Sequence, residues 1–195
     1  MFGWGKKGDE SGPKDQIAAA PRKQSQGVPT VKFDSSKISE AIKSDLRQNV
    51  KLLTEVPPHD FDMIYEAALR SITAGRALDI LCKALLTIDG MNKRRAADIS
   101  LSLNNKASAL MGVEAQNRNG ITYAVWCYSG APCGDIEQDT AHKAANGAPY
   151  LVKKGMFLNG QWTWPGRENG CKCISKPMIV GLDGHTGDKP TGYIE

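Results

Sequence analysis

No stretch of this sequence approaches the roughly eighteen to twenty consecutive apolar residues that a membrane-spanning helix requires. The opening, Met1-Phe2-Gly3-Trp4-Gly5-Lys6-Lys7, has no apolar run behind it of the kind a secretory leader carries. From these absences we expect a soluble chain that is not exported. Histidine is scarce, with three in 195 residues, so imidazole chemistry has few places to occur. No glycine-rich phosphate loop and no Gly-x-Ser-x-Gly elbow is present, which removes two well-marked enzymatic signatures. Cysteines number five. An odd count cannot close a complete disulfide framework within one chain, and the uneven spacing is unlike a secreted scaffold, so a reducing compartment is expected.

A strong charge of one sign is also missing from most of the chain. The net +4 is concentrated at the start: residues 1–33 hold six Lys and Arg against three Asp and Glu, residues 34–120 twelve against eleven, and residues 121–195 seven against seven. Sequence-specific DNA regulators concentrate Lys and Arg against phosphate, and the neutral C-terminal half does not. Residues 1–33 are rich in Gly, Pro, Lys, Gln and Ser and cannot bury enough apolar surface to offset their ordering entropy. They read as a disordered basic arm, either a solvated tail or a contact for nucleic acid or an acidic surface, with Phe2 and Trp4 as its two apolar side chains.

What the sequence does contain divides into a helical and a β-rich half. Asp34-Ser35-Ser36 marks a helix start, because these side chains accept from the free amides of a first turn. Behind it Ile38, Ala41, Ile42, Leu46, Val50, Leu53 and Val56 recur on one face up to Pro57-Pro58. A second helical region runs from Asp60 with a weak point at Gly75, continues from Arg76 through Leu78, Leu81, Cys82, Leu85 and Leu86, and stops at Asp89-Gly90. Asn92 to Asn117 reads as a long helix opened by Lys93-Arg94-Arg95. That triplet sits where the helix dipole disfavours cations, so it either faces an external acidic surface or is a solvated end.

From Gly120 the periodicity changes from helical to alternating. Ile121 to Tyr128 reads as a strand, Ile136 to Ala145 as a short helix bearing His142, and Met156 to Trp164 as a hairpin turning at Asn159-Gly160, the dipeptide that supplies two positive backbone angles. Pro177 to Val180 reads as an edge strand, and residues 183–195 as a flexible tail in which His185 stands alone. The expected class is α+β: a helical region over 34–120 followed by a β-rich Cys/His domain over 121–182.

Four soft or borderline ligands, Cys133, His142, Cys171 and Cys173, fall within this β-rich segment. Zinc favours tetrahedral thiolate and imidazole ligands, and its binding supplies folding free energy that a short, turn-rich segment cannot draw from apolar burial. We therefore expect a structural zinc on these four residues. The alternative is that the thiols are ordinary buried side chains and His142 caps a helix.

The order Gly120-Ile121, a strand with Trp126, His142-x-x-x-Asn146-Gly147, Lys154-Gly155, Asn159-Gly160, Trp164-Pro165-Gly166, Asn169, Cys171-x-Cys173 and Pro177 resembles the C-terminal region of the Mu F-like head-morphogenesis, or minor head, proteins of tailed bacteriophages. The likeness covers roughly residues 90–182. The resemblance implies a virion component that enters the procapsid with the portal protein, stays in multiple copies near the portal vertex, and assists head assembly and DNA packaging or ejection. It implies the portal and other capsid components as partners, a location in the virion and in the host cytoplasm during assembly, and non-specific contact with viral DNA as an option. The family's His and paired Cys carry over onto His142, Cys171 and Cys173, and Cys133 matches a cysteine that some relatives have. Two features depart from the family. Ile99-Ser100-Leu101-Ser102-Leu103 stands where relatives carry an Arg-Thr-Glu-like segment, and the N-terminal half is short.

Four protein ligands would fill a tetrahedral zinc, so no catalytic residue is expected. The rival expectation is a small metal-dependent nuclease with His142 as general base and a second metal held by Asp135, Glu137 and Asp139, whose two-residue steps resemble a ligand loop. Those acids equally suit a helix start, where negative side chains are favoured.

Overall fold

The computed structural model describes residues 38–182 and 184–192. The expected basic arm, with Phe2 and Trp4, and the expected helix start at Asp34-Ser35-Ser36 lie outside the described residues. The first described helix, α1 (Glu40–Lys51), is capped by Ser39, whose hydroxyl accepts from the Ile42 amide. Ile42, Leu46 and Val50 recur at four-residue steps and are buried. The helix stops at Lys51, earlier than the apolar spacing implies, so Leu53 and Val56 reach the core from turns.

A single 3-10 turn at Pro58–Asp60 leads into α2 (Phe61–Thr73). The weak point at Gly75 is a complete break: Gly75 and Arg76 both have positive φ, 77° and 67°. Helix α3 (Leu78–Leu85) then turns Leu81 and Leu85 inward. The longest element, α4 (Lys93–Arg118), starts at Asn92, whose side chain accepts from the Arg95 amide. Arg95 does not face an external acid, since its guanidinium pairs with Glu55 just after α1.

The four helices enclose one apolar core, drawn from Ile38 to Ala107. The Ile99–Leu103 segment, which departs from the family pattern, contributes to it. Ile99 and Leu103 are buried, while Ser100 donates to the Ala96 carbonyl at 2.7 Å and Asn104 donates to Ser71 Oγ at 3.0 Å. These buried polar groups are thus satisfied within the bundle.

At 26 residues α4 is roughly 39 Å long and outruns the bundle. Its C-terminal part supports a second core, built from Ala124, Trp126, Cys133, Ala145, Tyr150, Val152, Cys171 and Cys173 with Val113 packed against it. Strand β1 (Tyr123–Cys127) is the centre of an antiparallel three-stranded sheet, flanked by β2 (Pro149–Leu151) and β5 (Ile174–Pro177). Between β1 and β2 lies α5 (Ile136–Ala144). A separate hairpin joins β3 (Met156–Leu158) to β4 (Gln161–Thr163), and Asn159 and Gly160 at its tip take φ of 47° and 78°, as the Asn-Gly pair requires.

The edge strand lies at 174–177 rather than 177–180, because it pairs with β1 in a register that sets Cys127 opposite Ile174 and Ala124 opposite Pro177. His185 is not alone either: its ring meets Tyr123 edge-on at 6.3 Å. The architecture is α+β, with the helical and β-rich parts sharing α4. They are pinned by Gln116 donating to Ser175 Oγ at 3.0 Å and by a two-pronged ion pair between Arg167 and Asp45.

Candidate metal centre

The four Cys and His residues arrive from three local devices. Cys133 ends the loop after β1, and its amide donates to Asp139 Oδ1 at 2.9 Å. The same oxygen accepts from the Tyr128 hydroxyl at 2.7 Å, while Asp139 Oδ2 pairs with Lys143 at 2.7 Å. His142 projects from α5, which Asp135 caps by accepting from the Gln138 amide. Cys171 and Cys173 flank one residue ahead of β5, so both thiols turn to the same side of the chain.

The two loops can meet because Gly170 sits against Gly134. A Cβ at Gly170 would lie 3.1 Å from the Gly134 nitrogen, and its φ of 69° is in the left-handed region that side chains disfavour. Asn105 on α4 fixes the knuckle from behind, donating to the Cys171 carbonyl at 3.1 Å.

The four side chains converge completely, and all are buried. Their donor atoms lie within 4.8 Å of one another. Cys133 Sγ is 3.7 Å from Cys173 Sγ, and His142 Nδ1 is 3.5 Å from Cys171 Sγ and 3.8 Å from Cys173 Sγ. A disulfide would need sulfurs about 2.05 Å apart, and the cysteines are free. A tetrahedral ion with metal–sulfur bonds of about 2.3 Å and metal–nitrogen bonds of about 2.0–2.1 Å sets S···S near 3.8 Å and S···N near 3.5 Å, close to these three separations. The group could hold a metal ion.

The surroundings suit anionic sulfur. The Gly166 amide donates to Cys171 Sγ at 3.2 Å and the Lys172 amide to Cys133 Sγ at 3.3 Å. Hydrogen bonding with Cys173, aided by the Gly166 amide, lowers the Cys171 thiol, while the bond to Cys171 together with burial pushes Cys173 up to about 12. For His142, burial works downward, but the close contacts with Cys173, Glu168 and Cys133 outweigh it and hold the imidazole up to about 10. Without an ion, the group retains protons that a metal must displace.

Two further residues complete the surroundings, and sequence reasoning singled out only the second. Glu168 places Oε2 3.3 Å from His142 Nε2, in ion-pair range although not aligned as a hydrogen bond. Trp126 packs its ring on the imidazole, centroids 4.9 Å apart. Trp126 was legible as a strand aromatic. No periodicity or spacing marked Glu168, since its partner lies across a turn and a helix.

The acids proposed for a second metal do not form a ligand loop. Asp135 caps α5, and Asp139 is engaged by Lys143, Tyr128 and the Cys133 amide. Among the described residues, the Cys/His group is the one so assembled. Those contacts, Lys143 first, hold the Asp139 carboxyl down at about 2. A depressed carboxylate supports the fold fully above its ordinary value near 3.8 and loses that support only as pH falls through about 2. On acid titration we therefore expect metal release, followed with a chromogenic chelator, to precede the Asp139 transition. Release only at the pH where Asp139 protonates would show that the loop anchor, not ligand protonation, sets the acid limit. No family model, curated protein or solved structure matches the chain.

Proposed function

We propose that this chain is a structural, non-enzymatic minor head protein of a tailed bacteriophage, with a β-rich end closed by one zinc on Cys133, His142, Cys171 and Cys173. Three thiolates and an imidazole at tetrahedral spacing favour zinc among the common ions, and four protein ligands leave no position for a reactive water. The observation that carries the reading is the placement of the landmarks behind the family likeness. His142, Cys171 and Cys173 form the group itself, Trp126 packs on His142, and other landmarks tie together the strands and loops around it. Asn146 Oδ1 accepts from the Tyr128 amide, the Gly147 amide donates to the Trp126 carbonyl, and Trp164 Nε1 donates to the Val152 carbonyl at 2.8 Å. The Gly166 amide serves Cys171.

In this reading the helical part is the attachment handle, the portal protein and other capsid components are the partners, and the basic arm supplies any contact with viral DNA. Co-expression with the portal protein of the same genome should give a complex that weakens when residues 1–56 are deleted. Failure to associate with any capsid component would remove the head-protein reading. Incubation with plasmid and Mg²⁺ or Mn²⁺ should leave the DNA intact, whereas nicking that His142→Ala abolishes would replace the structural role with a nuclease.

Glu168 tests the metal half separately. A carboxylate facing the outer nitrogen of a ligating imidazole fixes its ring and raises its basicity, and losing such a partner costs about 10–100-fold in metal affinity. Glu168→Gln is expected to lower zinc affinity in that range, measured by competition with a chelator. Unchanged affinity would mean the carboxylate plays no part in holding His142.

A further inference from the structure

A cleft of about 640 Å³ lies between the end of α1, one side of the first half of α4 and the two knuckle loops. The metal centre does not use it. Its walls bring together two kinds of surface. Leu52, at the end of α1, is 78 % exposed and lines the cleft. Around it stand Arg94, Lys106 and Lys172, none with a carboxylate partner among the described residues. Lys106 is half-buried and donates to Asn49 Oδ1 at 2.7 Å, and Lys172 donates to the Pro132 carbonyl at 3.0 Å. Both ammonium groups keep further donor capacity. Burial, with Arg167 adding to it, lowers Lys106, and the more distant Asp45 carboxylate, already paired with Arg167, offsets only part of this.

We propose that this cleft docks an acidic, leucine-bearing segment of a partner protein, its apolar side chain against Leu52 and its carboxylates against Arg94, Lys106 and Lys172. Charge complementarity selects the acidic character, and the exposed leucine selects a peptide over a polyphosphate. Glu55, paired with Arg95, and Asp98 also line the cleft, and a nucleic-acid strand would leave Leu52 facing a polar sugar–phosphate backbone. The chain's own arm, with six Lys and Arg against three Asp and Glu over residues 1–33, has the wrong sign. The proposal depends on neither the identity of the metal nor the bacteriophage reading.

Peptides selected from a random display library against the full zinc-loaded chain provide the test. The enriched sequences should place Asp or Glu around a Leu, Ile or Phe. Arg94→Glu and Leu52→Gln should each weaken binding of the best labelled peptide by about tenfold or more, read by fluorescence anisotropy. Both positions are exposed, and Arg94→Glu puts a favourable charge at a helix N-terminus, so zinc content and circular dichroism should be unchanged. Absence of enrichment, enrichment of basic or uncharged peptides, or binding indifferent to both variants would overturn the proposal. So would a short single-stranded oligonucleotide that displaces the peptide and binds more tightly.

Discussion

Stripping the metal with a chelator, or replacing Cys173 by Ser, is expected to unfold the β-rich end while the helical bundle persists. The reason lies in how that end is built. Of the eight residues in its buried cluster, three are the ligand cysteines themselves, and His142 is buried among them. Remove the ion and the fully buried apolar remainder is chiefly Trp126, Tyr150 and Val152, a small core for a segment of short strands and turns whose ordering costs backbone entropy throughout. A structural zinc contributes on the order of 10–16 kcal/mol in small metal-dependent domains, more than those few side chains can replace at about 1.5–3 kcal/mol each. The bundle has its own core, with Ile64, Ala67, Ala68, Leu81 and Leu85 fully buried, and no ligand within it. Three of the four tryptophans, Trp126, Trp162 and Trp164, lie in the β-rich end. Chelation should therefore shift tryptophan emission to the red with little loss of helical circular dichroism. Emission and melting unaltered in the Cys173→Ser chain would show that the centre holds nothing together.

How much of this was legible beforehand depended on how local each determinant is. Asn159-Gly160 was readable because an Asn-Gly turn is decided by two residues. The four metal-binding candidates were readable because few residue types bind soft ions, so the short roll of Cys and His in residues 121–182 nearly specifies the set. Helix ends were less readable, since several residues compete for each cap: the first described helix is capped by Ser39, which no pattern set apart from its neighbours. The break at Gly75 was underestimated because Arg76 also takes a positive φ, and it is held there by tertiary context, its guanidinium reaching Asn105 on α4. Glu168 and Asn105 were invisible as site residues for the same reason, as each acts on a partner that only the fold brings near.

Trp126→Ala is expected to cost about 3–5 kcal/mol, the usual range for deleting a fully buried large aromatic, out of a total that for most domains is only 5–15 kcal/mol. It should also weaken the metal site, and that second effect separates a structural wall from mere filling. The indole is completely buried at the centre of β1, tilted against His142 on one side and edge-on to Tyr150 at 6.4 Å on the other. With the ring gone, the imidazole loses the surface that fixes its plane, and Nδ1 is free to swing from the position it shares with Cys171 and Cys173. Leu81→Ala, in the helical core, should lose comparable stability without changing zinc affinity in the folded chain. Trp126→Phe supplies the finer comparison. It keeps an aromatic face against His142 and removes an indole N–H that finds no hydrogen-bond partner among the described residues, a group whose burial unpaired carries its own penalty. Phe should therefore cost far less than Ala in melting temperature and retain most of the zinc affinity in chelator competition. Equal zinc affinity in the Ala, Phe and parent chains would show that the ligands hold themselves in place and that Trp126 serves the core alone.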